Sequence, residues 1–169
     1  MSGSDPSVPR DLHDAAIRAW SDARSLLFVC LGNICRSPFA EQLALREQPA
    51  DRRATSAGHY PDPGRRTPPD AIAVARGFGV DLRPHRSRVL SRALLEEAEA
   101  VFVCDHQNHR AVAVTHPWAA ERTHFLGALH PEGDLTIRDP FGGSAAEYEA
   151  TYRQIADAIA AAGRLSSPA

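Results

Sequence analysis

Leu26-Leu27-Phe28-Val29-Cys30 runs without a break into Leu31-Gly32-Asn33-Ile34-Cys35-Arg36-Ser37-Pro38. The first five residues are an unbroken apolar run of strand length. The absence of alternation predicts a strand covered on both faces, as in a parallel sheet flanked by helices. Gly32 and Asn33 are residue types that accept left-handed backbone angles, so a tight loop is expected next. Ser37 before Pro38 reads as a helix start, because proline's fixed φ suits the first helical position. Phe39, Leu43 and the neighbouring alanines carry that helix to about residue 48. The unit is strand, tight loop, helix.

Working outward, the pattern alternates. Residues 1–10 hold Ser, Gly, Asp and two Pro and read as a loose tail. Over 11–24, Leu12, Ala16, Trp20 and Ala23 recur at helical spacing, giving a short helix expected to pack on the domain surface. A short strand is expected over 54–57, ending at Gly58, and 59–69 reads as a long surface loop rich in Pro, Gly and Arg. Helices are expected over 70–78 and 94–99, a second buried strand over 100–104, a helix over 108–114 and a last strand over 123–126. A closing helix over 147–162 carries Tyr148, Tyr152, Ile155 and Ile159 on one stripe. Strands alternating with helices imply a single α/β domain, with a four-stranded parallel sheet and helices on both faces. The organisation expected is a tail plus a short extra helix over 1–24 and the main domain over 25–169.

Composition narrows the function classes. The 169 residues suffice for one domain with a hydrophobic core. A formal net charge of −2 argues against nucleic acid as a partner, since binding phosphate backbones calls for a basic surplus. All 19 basic residues are Arg, which fits GC-rich coding; a gene rich in neither G nor C at third codon positions would contradict that. No apolar run approaches the ~20 residues of a membrane span, and the first residues lack a signal-peptide core, so a cytoplasmic location is expected. Three cysteines, Cys30, Cys35 and Cys104, cannot build a disulfide framework and read as reactive or buried thiols. The histidines show no metal-binding spacing beyond His106 and His109, which read as helix surface; no metal and no cofactor are expected.

The loop after the first strand carries the chemistry. It sits at the carboxyl end of a buried strand, where open α/β sheets bind ligands. Successive backbone N–H groups in such a loop converge on an anion, and the helix that follows adds its own N–H groups and positive dipole end. Arg36 offers a planar fork for two phosphate oxygens. The same positive field favours the thiolate form of Cys30, the form that is nucleophilic. Ser37 can donate a hydrogen bond to that sulfur. Asp139 precedes Pro140, which biases it toward an extended loop conformation; Asp62, also before a proline, and Asp105 are rival acids.

Cys30-Leu31-Gly32-Asn33-Ile34-Cys35-Arg36-Ser37-Pro38 resembles the signature loop of the low-molecular-weight protein tyrosine phosphatases, bacterial type. Ser56-Ala57-Gly58, His85-Arg86-Ser87-Arg88, Val103-Cys104-Asp105 and Asp139-Pro140 fall in family order, so the likeness spans about residues 25–162. It implies the flavodoxin-like three-layer fold and hydrolysis of protein phosphotyrosine. Cys30 is then the nucleophile and Asp139 the general acid and base. Arg36 and the amides of Leu31, Gly32, Asn33, Ile34 and Cys35 bind the phosphate. Asn33, Ser37, Ser56 and His85 form the network that supports the loop. Cys35 is implied to form a reversible disulfide that protects Cys30.

Substrate walls are expected from Ile34, Tyr60 and Phe141. Relatives often place two aromatics after the Asp-Pro, and here Gly142 stands at the second position. Phosphoarginine-directed relatives typically carry Thr where this chain has Ile34, which favours an aromatic substrate. The other readings are a phosphoarginine phosphatase, an arsenate reductase (which needs further relay cysteines) and a non-catalytic phosphate-binding module. The partner expected is a phosphotyrosine-bearing protein such as a bacterial tyrosine kinase. No nucleic acid or membrane is expected, and the enzyme should be a monomer or weak dimer.

Overall fold

A computed structural model describes residues 8–47 and 50–166. Four strands, β1 (Ser25–Cys30), β2 (Arg53–Gly58), β3 (Ala100–Val103) and β4 (Thr123–Phe125), form one sheet in the order β2-β1-β3-β4, with every pairing parallel. The helices are α1 (Arg10–Asp22), α2 (Arg36–Glu47), α3 (Pro69–Gly77), α4 (Arg92–Glu97), α5 (His106–Thr115) and α6 (Ala145–Ser166). Short 3-10 turns lie at Pro117–Arg122 and Leu126–Leu129.

The unbroken apolar run of β1 has the cause expected of it. Leu26, Phe28 and Cys30 point into one core with residues of α1, α2 and α6, and Leu27 and Val29 into another with residues of α4 and α5. Every residue of β1 is buried, so both faces are apolar from Leu26 on, and Ser25 at the start has its hydroxyl bonded to the backbone of Glu97 and Glu99. The chain leaves β1 for β2 on one side and later crosses to β3 on the other. The carboxyl end of β1 is therefore the point where the strand order reverses, and a crevice opens there.

Helix ends follow local caps more closely than apolar spacing. The Asp105 side chain accepts from Asn108 N–H at 2.8 Å, which starts α5 at His106 rather than 108. Ser144 and Glu147 form a reciprocal capping box: Ser144 N–H donates to Glu147 Oε2 at 2.7 Å and Glu147 N–H to Ser144 Oγ at 3.3 Å. The closing helix thus begins at Ala145 and runs to Ser166, longer at both ends than its apolar stripe. Ser91 caps α4 through Leu94 N–H and starts it two residues early. Ala23 is extended, so α1 stops at Asp22.

The N-terminal helix lies deeper than surface packing suggests. Trp20 is fully buried, 5.6 Å from Phe102 and 6.4 Å from Phe28 between ring centres, and these two rings stack on one another at 6.0 Å. Val8, in the segment read as tail, is buried too; residues 1–7 and the expected helix end at 48 lie outside the described residues. His106 and His109 sit on α5 with their rings 4.8 and 5.3 Å from that of Phe125. No described helix is long and apolar enough to cross a membrane.

Candidate active site

Between β1 and α2 the backbone turns in five residues, and Asn33 takes φ +54°, the only positive φ at a described non-glycine residue. Left-handed backbone costs a residue with a Cβ about 1 kcal/mol or more, so neighbours must hold it. Asn33 is fully buried and saturated with bonds. Its Nδ2 donates to Ser37 Oγ and to Ser56 Oγ, each at 2.8 Å, and its Oδ1 accepts from Arg88 N–H at 2.8 Å. Its carbonyl lies 2.7 Å from His85 Nε2. A carbonyl can only accept, so His85 is the Nε2–H tautomer. Burial also holds His85 below the ordinary histidine range, in keeping with a neutral ring. Ser56 Oγ in turn donates to the Glu41 carboxylate. The residues expected to support the loop therefore meet around one asparagine, with Glu41 and Arg88 as additions.

Close approach completes the loop's seat. A β-carbon at Gly58, the last residue of β2, would lie 2.6 Å from Leu31 O and 2.8 Å from Asn33 N. Both are backbone atoms, so only glycine lets the loop rest on the strand.

Cys30 Sγ sits at the bottom of this turn. Asn33 N–H donates to it at 3.2 Å, and Ser37 Oγ lies 3.0 Å away. Ser37 Oγ already accepts from Asn33, and of the two acceptors within reach of its own hydrogen the sulfur at 3.0 Å is nearer than Ala57 O at 3.5 Å. A thiolate is thereby offered two donors before any substrate arrives.

Arg36, one of the largest fully buried side chains, lies alongside. Its Nη1 donates to Asp105 Oδ2 at 2.7 Å and to Ile137 O at 2.8 Å, and Nη2 is 3.5 Å from Asp139 Oδ2. Its Nε is buried with no hydrogen-bond partner among the described residues. Nη1 and Nη2 are thus directed by Asp105, Ile137 and Asp139, while Nε is left without a described partner.

The three candidate acids separate by position. Asp105 uses one oxygen on Arg36 and the other on Asn108 N–H, which makes it the anchor of the arginine. Asp62 lies on the outer loop against Arg65 and does not line the cavity. Asp139 lines it, with Oδ1 accepting from Phe141 N–H at 3.2 Å. The chain that leads into it is tied down twice: Ile137 N–H donates to Cys104 O at 2.8 Å and Thr151 Oγ1 to Arg138 O at 3.1 Å.

The cavity over Cys30 has a volume of about 210 Å³. Leu31, Gly32, Ile34, Cys35 and Arg36 floor it, and Tyr60, Arg65, Asp139 and Phe141 surround it. Tyr60 and Phe141 are 48% and 64% exposed, so both rings stand at the mouth with one face open. Gly142 has φ +78°, a backbone that suits glycine and that an aromatic residue rarely adopts.

Cys35 is buried, 4.0 Å from Tyr148 Oη, and Tyr152 Oη donates to its carbonyl at 3.1 Å. Burial, and then the charge of Cys30, push its thiol up to about 12. It is a neutral thiol beside a reactive one. Cys104 is fully buried, and burial raises its pKa as well.

Sequence reading missed Arg65, Glu41 and the roles of Asp105 and the two tyrosines. Asp105 carried a signal, Asp-x-x-Asn before a helix. The tyrosine hydroxyls reach the loop across 113 and 117 positions and left none.

A thiol held by a backbone amide in a tight turn on a parallel sheet, with an arginine six residues on and a carboxylate lining the same cavity, defines a cysteine-dependent phosphatase. Residues 25–162 match the family model "Low molecular weight phosphotyrosine protein phosphatase", and the chain belongs to that family. It is 31% identical over 137 residues to the low molecular weight protein-tyrosine-phosphatase Ptp of Acinetobacter johnsonii, covering 81% of this chain and 94% of that one. The structure of the tyrosine phosphatase AmsI of Erwinia amylovora matches with a TM-score of 0.79 at 27% identity, over 86% of this chain and 95% of that one. The arginine phosphatase YwlE of Geobacillus stearothermophilus matches with 0.78 at 28%, over 84% and 92%.

Proposed function

We propose that this chain hydrolyses phosphotyrosine in proteins through a cysteinyl-phosphate intermediate. The Cys30 thiolate attacks phosphorus, the P–O bond to the ring breaks, and Asp139 gives its proton to the departing phenolate. Water then attacks the phosphorus of the thiophosphate with Asp139 taking its proton, the S–P bond breaks, and phosphate leaves. Arg36 and the amides of residues 31–36 hold the non-bridging oxygens throughout. Catalysis of phosphoryl transfer is chiefly positioning and charge stabilisation, and a loop held this firmly needs little reorganisation when charge develops.

The observation that carries the reading is that Cys30, Arg36 and Asp139 line one cavity together with the aromatic side chains of Tyr60 and Phe141. Ile34, Tyr60 and Phe141 line the cavity, and apolar and aromatic side chains there favour an aromatic phosphate ester over an aliphatic one. The likeness to YwlE makes phosphoarginine the second reading; Ile34 in the floor and Arg65 at the mouth speak against it. The substrate is proposed to be a phosphotyrosine-bearing protein, such as a bacterial tyrosine kinase, met by a monomer or weak dimer in the cytoplasm, where thiols stay reduced. The test is a panel of phosphotyrosine, phosphoserine and phosphoarginine peptides. Phosphotyrosine should give the highest kcat/KM, and a higher value for phosphoarginine would reverse the assignment.

Gly58→Ala should leave the fold intact and push the loop off its seat. A displacement of about 1 Å at a catalytic centre costs on the order of 10²-fold, so kcat/KM on an aryl phosphate should drop by about that much. An unaltered rate would show that the contact with Leu31 and Asn33 does not position the loop.

Cys35 is proposed to guard the nucleophile. Peroxide oxidises Cys30 to the sulfenic acid, the Cys35 thiol displaces water from it, and a disulfide forms that thiols can reduce. Inactivation by peroxide should be reversed by dithiothreitol in the wild type and hardly at all in Cys35→Ser. Equal recovery in both would refute the role.

A further inference from the structure

Besides Arg36, the only cationic side chain among the described residues lining the cavity is Arg65, and the mechanism makes no use of it. It belongs to the loop between β2 and α3. Its guanidinium carbon lies 4.6 Å from the centre of the Tyr60 ring, so cation and aromatic wall form one stacked unit. Nη2 donates to Gly32 O at 2.8 Å, and Nε donates to Asp62 O at 3.0 Å. The backbone beneath is pinned as well: Arg65 N–H donates to Ser87 Oγ at 2.9 Å, and Ser87 N–H to Arg65 O at 2.9 Å.

A β-carbon at Gly32 would lie 3.2 Å from Arg65 Nη2 and 3.7 Å from Nη1. The guanidinium therefore lies directly over the phosphate loop. Its nearest carboxylate is that of Asp62, 3.8 Å away on the Nε side and largely exposed. The Nη1 end donates to no other described residue. Two donors anchor the fork to backbone carbonyls, and the others remain for a planar anion. The side chain is 27% exposed, enough for a ligand to reach it and dry enough for the contact to exceed an open surface pair.

We propose that Arg65 is a specificity-determining residue that receives the carboxylate of an acidic residue flanking the phosphotyrosine. This rests on the phosphotyrosine reading above. With the substrate ring between Ile34 and Phe141, the peptide leaves the cavity at its mouth, where Arg65 and Tyr60 stand together. Substrates with acidic flanks gain a charge-assisted hydrogen bond there. A phosphoguanidine substrate brings positive charge toward the same cation and loses by it.

The test compares two phosphotyrosine peptides that differ only in Glu or Gln beside the phosphotyrosine, with wild type, Arg65→Gln and Arg65→Lys, at low and high salt. The wild type should favour the Glu peptide in kcat/KM by about fivefold to tenfold at low salt, the reach of one charge-assisted bond. Added salt should shrink that ratio. Arg65→Gln should bring it to unity, and Arg65→Lys should keep part of it. Because each ratio is taken within one protein, a disturbed Gly32 cancels out. Turnover without preference in the wild type, or the same preference in Arg65→Gln, would overturn this proposal alone. No turnover of either peptide by the wild type would overturn the phosphotyrosine reading and this proposal with it.

Discussion

Cys30→Ser should lower kcat/KM on phosphotyrosine peptide by on the order of 10⁶-fold, the scale on which loss of a covalent nucleophile acts when every other group remains. The oxygen of serine can take the same two contacts that the sulfur makes, with Asn33 N–H and Ser37 Oγ. The loop should therefore keep its shape. What changes is the nucleophile: sulfur attacks phosphorus readily as a thiolate, whereas an alcohol is a poor nucleophile without a base to deprotonate it. Arg36 is untouched, so binding of inorganic phosphate, measured by calorimetry, should survive within a few-fold. A variant with measurable turnover of this peptide would mean that another group attacks phosphorus. A variant that lost phosphate binding as well would mean that the substitution had collapsed the cradle.

The second large effect is at the acid. Asp139→Asn should lower kcat on phosphotyrosine peptide by about 10²- to 10⁴-fold, the usual contribution of a positioned proton donor. The side chain keeps its size, and its Oδ1 can still accept from Phe141 N–H. The signature is a dependence on the leaving group. A phenolate of tyrosine is a poor leaving group and needs the proton, whereas a nitrophenolate carries its charge unaided. The loss on p-nitrophenyl phosphate should then be much smaller in the phosphorylation step, as read by burst kinetics. Asp139 also sits 3.5 Å from Arg36 Nη2, so an equal loss on both substrates would point to disturbance of the arginine instead.

Much of this was legible in the sequence because its causes are local. A strand buried on both faces reads as an unbroken apolar run, and β1 is buried at every residue. A turn that needs left-handed backbone reads as Gly32-Asn33, and Asn33 is where the positive φ falls. The capping box at Ser144 and Glu147 was equally local, and periodicity alone passed over it because neither residue is apolar.

The remainder was hidden because it depends on which distant segments meet. An apolar stripe on α1 shows that the helix packs, not that Trp20 enters the ring cluster of Phe28 and Phe102. Local sequence left Asp62 and Asp105 as rivals to Asp139, which the family order alone preferred as the acid. The fold separates them: Asp105 is held by Arg36 and Asn108, Asp62 is on the outer loop, and Asp139 faces the cavity. Tyr148 and Tyr152 read as apolar stripe residues, yet each hydroxyl reaches Cys35. Arg65 had no motif around it, since its bond to Gly32 O joins residues 33 positions apart.

The most direct test of the account is to catch the intermediate. Asp139→Ala, which lacks the base for hydrolysis of the thiophosphate, is mixed with p-nitrophenyl phosphate, quenched in acid within the first turnover, digested and examined by mass spectrometry. One phosphoryl group on the sulfur of Cys30 is the predicted result. A phosphoryl group on any other residue, or turnover with no adduct at the shortest quench times, would contradict it.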